Sequence, residues 1–186
     1  AEEDLRGQRL AGLTEKLDDA RLDAERLNEL AEDLLDVARL DTDERVVREP
    51  VPPGELVRQA ARGLKHLAER SKVEIRVDLD PHLPELEADG RRLMRALENL
   101  LRNALHHARS TVRVRASTTR DRVRFAVLDD GPGLPIEPGE NVWEALSERL
   151  SRPDSAGLGL VVVRRVAELH GGDTGAENRP EGGACV

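Results

Sequence analysis

The sequence predicts an α+β two-layer sandwich, a mixed sheet with helices on one face, preceded by an α-helical segment. Three observations carry this. From about residue 55 onward, segments of period-two apolar alternation are interleaved with amphipathic helical segments, the pattern of a sheet covered by helices. Two alternating segments, 112–116 and 123–127, are separated by a short polar turn and should pair as a hairpin. Ahead of them, residues 10 to 38 carry a heptad seam, set apart by a proline-rich stretch.

The seam consists of Leu10, Leu13, Leu17, Ala20, Ala24, Leu27, Ala31, Leu34 and Ala38, in steps of three and four. Leu30, Val37 and Leu40 widen it toward a bundle core, and its length favours self-association. Asp18-Asp19 is its only turn candidate, so one long helix and a hairpin both fit. Residues 41–53 break the seam, and Asp41-Thr-Asp43 and Glu49-Pro-Val-Pro-Pro-Gly54 read as a linker. The predicted organisation is a helical segment over 1–47 and a folded domain over 48–186.

Within that domain, 55–71 reads as one helix and 73–79 as a half-buried strand. A short strand is expected at 85–87, and a strong helix at 91–108 whose apolar face is Leu93, Ala96, Leu97, Leu100, Leu101, Ala104 and Leu105. The hairpin follows. A Pro/Gly-rich stretch then leads to a short helix near 142–150, a helix over 158–170, and final strands at 173–178 and from 184.

Composition narrows the function. With 38% hydrophobic and 35% charged residues the chain is globular rather than disordered. A net charge of −8 speaks against a nucleic-acid partner. Phe125 and Trp143 are the only aromatics, so a bound base would sit against aliphatic walls instead of a stacking platform. Cys185 is the only cysteine, which excludes an intrachain disulfide and a cysteine-rich metal site. His66, His82 and His170 have no metal-ligand spacing. No run approaches the roughly 18 to 20 apolar residues of a membrane span. This chain is therefore expected to be cytoplasmic and to make no membrane contact, as a portion of a larger, membrane-anchored parent.

Three segments carry candidate chemistry. Asn99 and Asn103 lie four apart on the strong helix, so both amides project from one face. An amide oxygen is a neutral hard ligand, suited in Asn103 to a magnesium ion that completes its shell with water and phosphate. Asp129 ends an apolar strand, where a buried carboxylate can accept from adenine's exocyclic amine, and Gly131 and Gly133 permit close backbone approach. Gly157-Leu-Gly-Leu160 opens an apolar helix, so its free N–H groups form a phosphate cradle. Each segment alone has an ordinary structural reading: a solvated helix face, a turn after a strand, a glycine-rich helix start. Their order is what distinguishes them.

Taken together, these residues resemble the sensor histidine kinases of two-component systems, within the larger GHKL ATPase group. Glu98-Asn-Leu-Leu-Arg-Asn-Ala-Leu-His-His-Ala108 resembles their asparagine box and Asp129-Asp-Gly-Pro-Gly-Leu134 their first glycine box. Ala156-Gly-Leu-Gly-Leu160 through Leu169-His-Gly-Gly172 resembles the second. Leu30-Ala-Glu-Asp-Leu-Leu-Asp-Val-Ala-Arg-Leu-Asp41 is similar to the second helix of the family's dimerisation domain. The resemblance implies a Bergerat/GHKL-like fold binding ATP and Mg2+ between the asparagine helix and a mobile lid over about 134–156.

The ATP-contacting set it implies is Asn99, Asn103, His106, His107, Asp129, Gly131, Gly133, Leu134, Gly157, Leu158, Gly159 and Leu160. Asn103 would hold the metal, and Asn99, Asn103 and His106 would be the catalytic residues. The implied activity is signal transduction by phosphorylation: transfer of the γ-phosphate to a histidine, then to an aspartate on a response regulator receiver domain, by a kinase that is a homodimer through its N-terminal helices. Gyrase-like members place a water-activating glutamate where this chain has Asn99, which cannot take a proton at neutral pH.

The chain also departs from the pattern. Ser155 replaces a glycine of the second box, and Trp143 and Leu146 stand where phenylalanines are usual. No His-Glu-Leu-Arg-Thr-Pro box is present, and Glu3-Asp-Leu-Arg6 resembles one only faintly. The acceptor histidine thus lies upstream of Ala1 or is lost. The alternatives are a pseudokinase or nucleotide-binding regulatory module lacking its own phosphoacceptor, and a hydrolytic GHKL ATPase.

Overall fold

The computed structural model describes residue 31 and residues 46–120, 122–134 and 158–186. Apart from Ala31, which is helical and exposed, the heptad seam lies outside the described residues. So does the helix expected at 142–150.

A mixed five-stranded sheet runs in the order β2-β4-β5-β7-β6, from β2 (Glu74–Leu79), β4 (Thr111–Thr119), β5 (Arg122–Asp129), β6 (Glu177–Asn178) and β7 (Ala184–Cys185). β2 is parallel to β4, a pairing that needs a crossover, and α3 (Gly90–His107) supplies it. β4 and β5 form the expected hairpin, with Val114 opposite Val127 and Val112 opposite Asp129. Val127 and Val186 exchange both backbone hydrogen bonds at 2.8 and 3.0 Å, which ties the last residue to β5.

Period-two alternation puts Val112, Val114, Ala116 and Val127 on one face, all buried, while Arg113 and Arg115 stay on the other, exposed. The described helices cover the apolar face: α1 (Pro53–Gly63), α2 (Lys65–Ser71), α3 and α4 (Leu158–Leu169). α1 contributes Leu56, Val57 and Ala60, α3 contributes Leu97, Leu100, Leu101 and Ala104, and α4 contributes Val162, Val163 and Val166. Pro53 opens α1, where its missing N–H costs nothing. Asp89 caps α3 by accepting from the Arg92 N–H at 3.1 Å.

Three expectations change. Residues 49–51, read as linker, form β1 (Glu49–Val51), antiparallel to β3 (Leu86–Ala88). Pro50 is tolerated there because the two-stranded ribbon leaves one side of β1 unpaired. The single helix over 55–71 is two, broken at Leu64, whose ψ of 8° directly after Gly63 leaves the helical range. The strand expected over 173–178 is only Glu177–Asn178.

Leu101 is fully buried at the centre of α3, between sheet and helices. Leu101→Ala should therefore destabilise the domain by about 2 to 5 kcal/mol. In urea unfolding this appears as a lower midpoint with an unchanged slope.

Candidate functional site

β5 ends at Asp129 and Asp130 follows it directly, and the two carboxylates point to opposite sides. Asp129 faces the helix layer and is only 7% exposed. Its Oδ1 accepts from the Gly131 N–H at 2.8 Å and the Ala184 N–H at 3.3 Å. Its Oδ2 has no partner among the described residues. The Asp129 carbonyl accepts from Arg179 Nη1 at 2.6 Å.

Asp130 turns to the connection between α3 and β4. It accepts from the Arg109 N–H at 2.8 Å, the Ser110 N–H at 3.0 Å and the Ser110 hydroxyl at 2.6 Å. Desolvation alone would raise the Asp130 pKa. The Ser110 hydroxyl, then the N–H groups of Ser110, Thr111 and Arg109, reverse this and hold the carboxyl well below the usual range.

The loop after β5 abuts the end of α3. A Cβ on Gly131 would collide with the His107 carbonyl oxygen and lie 2.9 Å from Asp129 Oδ1, so only glycine fits. Gly133 has a φ of +86°, which also favours glycine. Leu134 is held by Asn178, whose Oδ1 accepts from the Leu134 N–H at 2.6 Å and whose Nδ2 donates to the Leu134 carbonyl at 2.9 Å.

Along α3, Asn99 is buried and its Nδ2 donates to the Gly159 carbonyl at 3.4 Å, which joins the asparagine helix to the start of α4. Asn103, one turn later, is half-buried and has no partner among the described residues. His106 and His107 end the helix exposed, rings edge to face with centroids 5.0 Å apart. Desolvation and the neighbouring His106 push the His107 pKa down, opposed by the Asp129 carboxylate.

A second pin holds the far end of this helix pair. The Asp89 N–H donates to His170 Nε2 at 3.0 Å, so the neutral ring carries its proton on Nδ1, 2.7 Å from the Val166 carbonyl. Asp89 to Asn99 is ten residues of α3, about 15 Å, and Gly159 to His170 is eleven of α4, about 16.5 Å. Two antiparallel helices tied at both ends over matched spans cannot slide past each other.

The structure thus gathers Asn99, Asn103, His106, His107, Asp129, Gly131 and Gly159 around α3. Leu160 is buried in the core, leaving only its backbone for a ligand. Gly157 and the Leu158 side chain lie outside the described residues. Four residues that shape the site were not foreseen: Asp130, His170, Asn178 and Arg179. Only the Asp-Gly sequence after a strand hinted at a capping role, for Asp130.

No group of three or more His, Cys, Asp or Glu is placed to hold a metal among the described residues. The half-buried Asn103 amide, without a partner among the described residues, suits instead a hard cation that shares its shell with phosphate and water.

Residues 88–186 match the family described as histidine kinase-, DNA gyrase B-, and HSP90-like ATPase. The chain is 36% identical over 169 residues to the sensor histidine kinase MtrB of Mycobacterium tuberculosis, covering 87% of this chain and 30% of that protein. It therefore spans less than a third of that relative's length. The full-length structure of ShkA in complex with AMPPNP is similar with a TM-score of 0.73 and 32% identity, over 86% of this chain and 34% of that one. The fold is shared with histidine kinase ThkA, solved in complex with the response regulator protein TrrA, at a TM-score of 0.69 and 21% identity, over 87% of this chain and 47% of that one.

A lowered carboxyl pKa stabilises the fold above the unfolded-state value, near ~4, and that contribution is lost as pH falls below it. Asp130→Asn should cost about 1 kcal/mol at pH 7. Its thermal unfolding curve and that of the native chain should converge as pH falls below ~4.

Proposed function

Because the chain belongs to the histidine kinase-, DNA gyrase B-, and HSP90-like ATPase family, we propose that it is the ATP-binding catalytic portion of a two-component sensor histidine kinase. The observation that supports this most is Oδ2 of Asp129, which has no partner among the described residues. Oδ1 is held by two backbone N–H groups, while Oδ2 of the same buried side chain is left to accept from an external donor. Adenine's exocyclic amine is such a donor, and a site built to bond it discriminates strongly against purines without it.

On this reading, Gly131, Gly133 and Leu134 line the base. Leu158, Gly159 and Leu160 offer their backbone to the phosphates at the positive end of α4, and Gly157 is assigned to the same group. Asn103 holds magnesium through its amide oxygen, and His106 contacts phosphate. Magnesium, when bound, supplies charge neutralisation on the phosphates. Asn99 gives its N–H to Gly159 and has no basic atom, so no side chain at that position activates water. Transfer to an already nucleophilic imidazole follows more naturally than hydrolysis.

Residues 1–47 would serve as the helical dimerisation segment and 48–186 as the catalytic domain. On this reading a histidine accepts the γ-phosphoryl group, which then passes to a response regulator receiver domain. Among the described residues no helix is long and apolar enough to cross a membrane. Membrane anchorage would belong to the parent.

The glycines offer a test. A Cβ on Gly159 would meet Asn99 Cβ at 3.5 Å, an ordinary contact, so helix packing accepts alanine there. Gly159→Ala should keep or raise the melting temperature yet weaken binding of a magnesium-bound ATP analogue in calorimetric titration. Asp129→Asn should weaken it by about ten-fold or more, because its amide puts a donor against either the backbone N–H groups or the adenine amine. Native-like affinity in Asp129→Asn would contradict the assignment.

A further inference from the structure

We infer that Asn178 and Arg179, on the hairpin formed by β6 and β7, are positioning residues that set the purine selectivity of the loop following β5. This rests on the nucleotide reading of Asp129. The loop from Asp129 to Leu134 has one support in the end of α3, through Gly131 against the His107 carbonyl and Asp130 on Arg109 and Ser110. Among the described residues, the opposite support comes from the C-terminal hairpin. Arg179 Nη1 grips the Asp129 carbonyl at 2.6 Å, and its Nη2 is fixed by Glu181 at 2.8 Å. Asn178 presents its amide to Leu134 as a strand would, donor to carbonyl at 2.9 Å and acceptor to N–H at 2.6 Å.

Between these grips the Gly183 backbone packs against the Asp129 carbonyl so closely that a Cβ there would collide with it. The Ala184 N–H reaches Asp129 Oδ1. The hairpin thus fixes both ends of the loop: the carbonyl of its first residue and both backbone groups of its last.

Neither side chain is part of the apolar core. Asn178 is exposed and the Arg179 side chain is 26% exposed. Truncating either leaves no cavity in the core, so core packing does not explain them. What they fix is the direction of Asp129 Oδ2 and the walls beside it. A rigid carboxylate rejects guanine, whose O6 would face it lone pair to lone pair, whereas a loosened loop turns away and tolerates it. Preorganisation of this kind raises affinity for the ligand that matches the fixed geometry.

The test uses the full chain with magnesium and fluorescent analogues of ATP and GTP, comparing the native chain with Asn178→Ala and Arg179→Ala. Each variant should bind ATP roughly ten-fold more weakly, while GTP binding changes by less than about three-fold. The ATP-over-GTP ratio therefore falls, which a merely structural role, weakening both equally, would not produce. Affinities within about two-fold of native with the ratio kept, or an equal loss for both nucleotides, would overturn the inference while leaving the nucleotide reading intact. Absence of saturable ATP binding by the native chain would overturn both. Should a variant fail to fold, amide exchange in the native chain decides. Slow exchange at the Leu134 N–H is expected, and exchange at the rate of an unstructured amide would overturn the inference.

Discussion

The structure of the site depends on how one strand ends. Asp129 and Asp130 are neighbours in sequence, yet one carboxylate points into the helix layer and the other to the connection leaving α3. Asp130 makes its bonds to Arg109 and Ser110 and so fixes where α3 hands the chain to β4. Asp129 uses one oxygen on the backbone of Gly131 and Ala184 and keeps the other free of described partners. Asp129 is 7% exposed as a residue, yet its Oδ2 is not among the buried side-chain atoms left without a partner, so that oxygen stays open to a donor from outside the fold. That asymmetry is the physical basis of the ligand site.

The rest of the molecule keeps that carboxylate in register with α3 and α4. The helix pair is tied at one end by Asn99 to the Gly159 carbonyl and at the other by the Asp89 N–H to His170. The first tie sits where the asparagine face meets the glycine turn, so ligand-facing and structural duties share one residue. The glycines divide in the same way. Gly131 and Gly183 are demanded by backbone contacts within the fold, whereas Gly159 has room for a methyl group. A glycine that the fold does not require points to a ligand that does.

Much of this was legible in the sequence because burial leaves a periodic trace. The alternation at 112–116 and 123–127 gave the hairpin, and the apolar stripe from Leu93 to Leu105 gave α3 and, with it, the face carrying Asn99 and Asn103. What escaped was whatever depends on single side-chain to backbone bonds across the chain. His170 meets Asp89 across 81 residues, and Asn178 meets Leu134 across 44. Such contacts have no period and no neighbour in sequence. Residues 49–51 read as a loop because of their proline, while a ribbon edge accepts proline equally well. The break at Leu64 was hidden by an apolar stripe that continues through it.

The most direct measurement compares ATP with the triphosphate of purine riboside, which lacks only the 6-amino group, on the native chain and on Asp129→Asn. If Asp129 Oδ2 reads that amine, the native chain prefers ATP by about ten-fold or more and the preference disappears in the variant. Equal affinity of the native chain for both nucleotides, or a preference that survives in Asp129→Asn, would contradict the account.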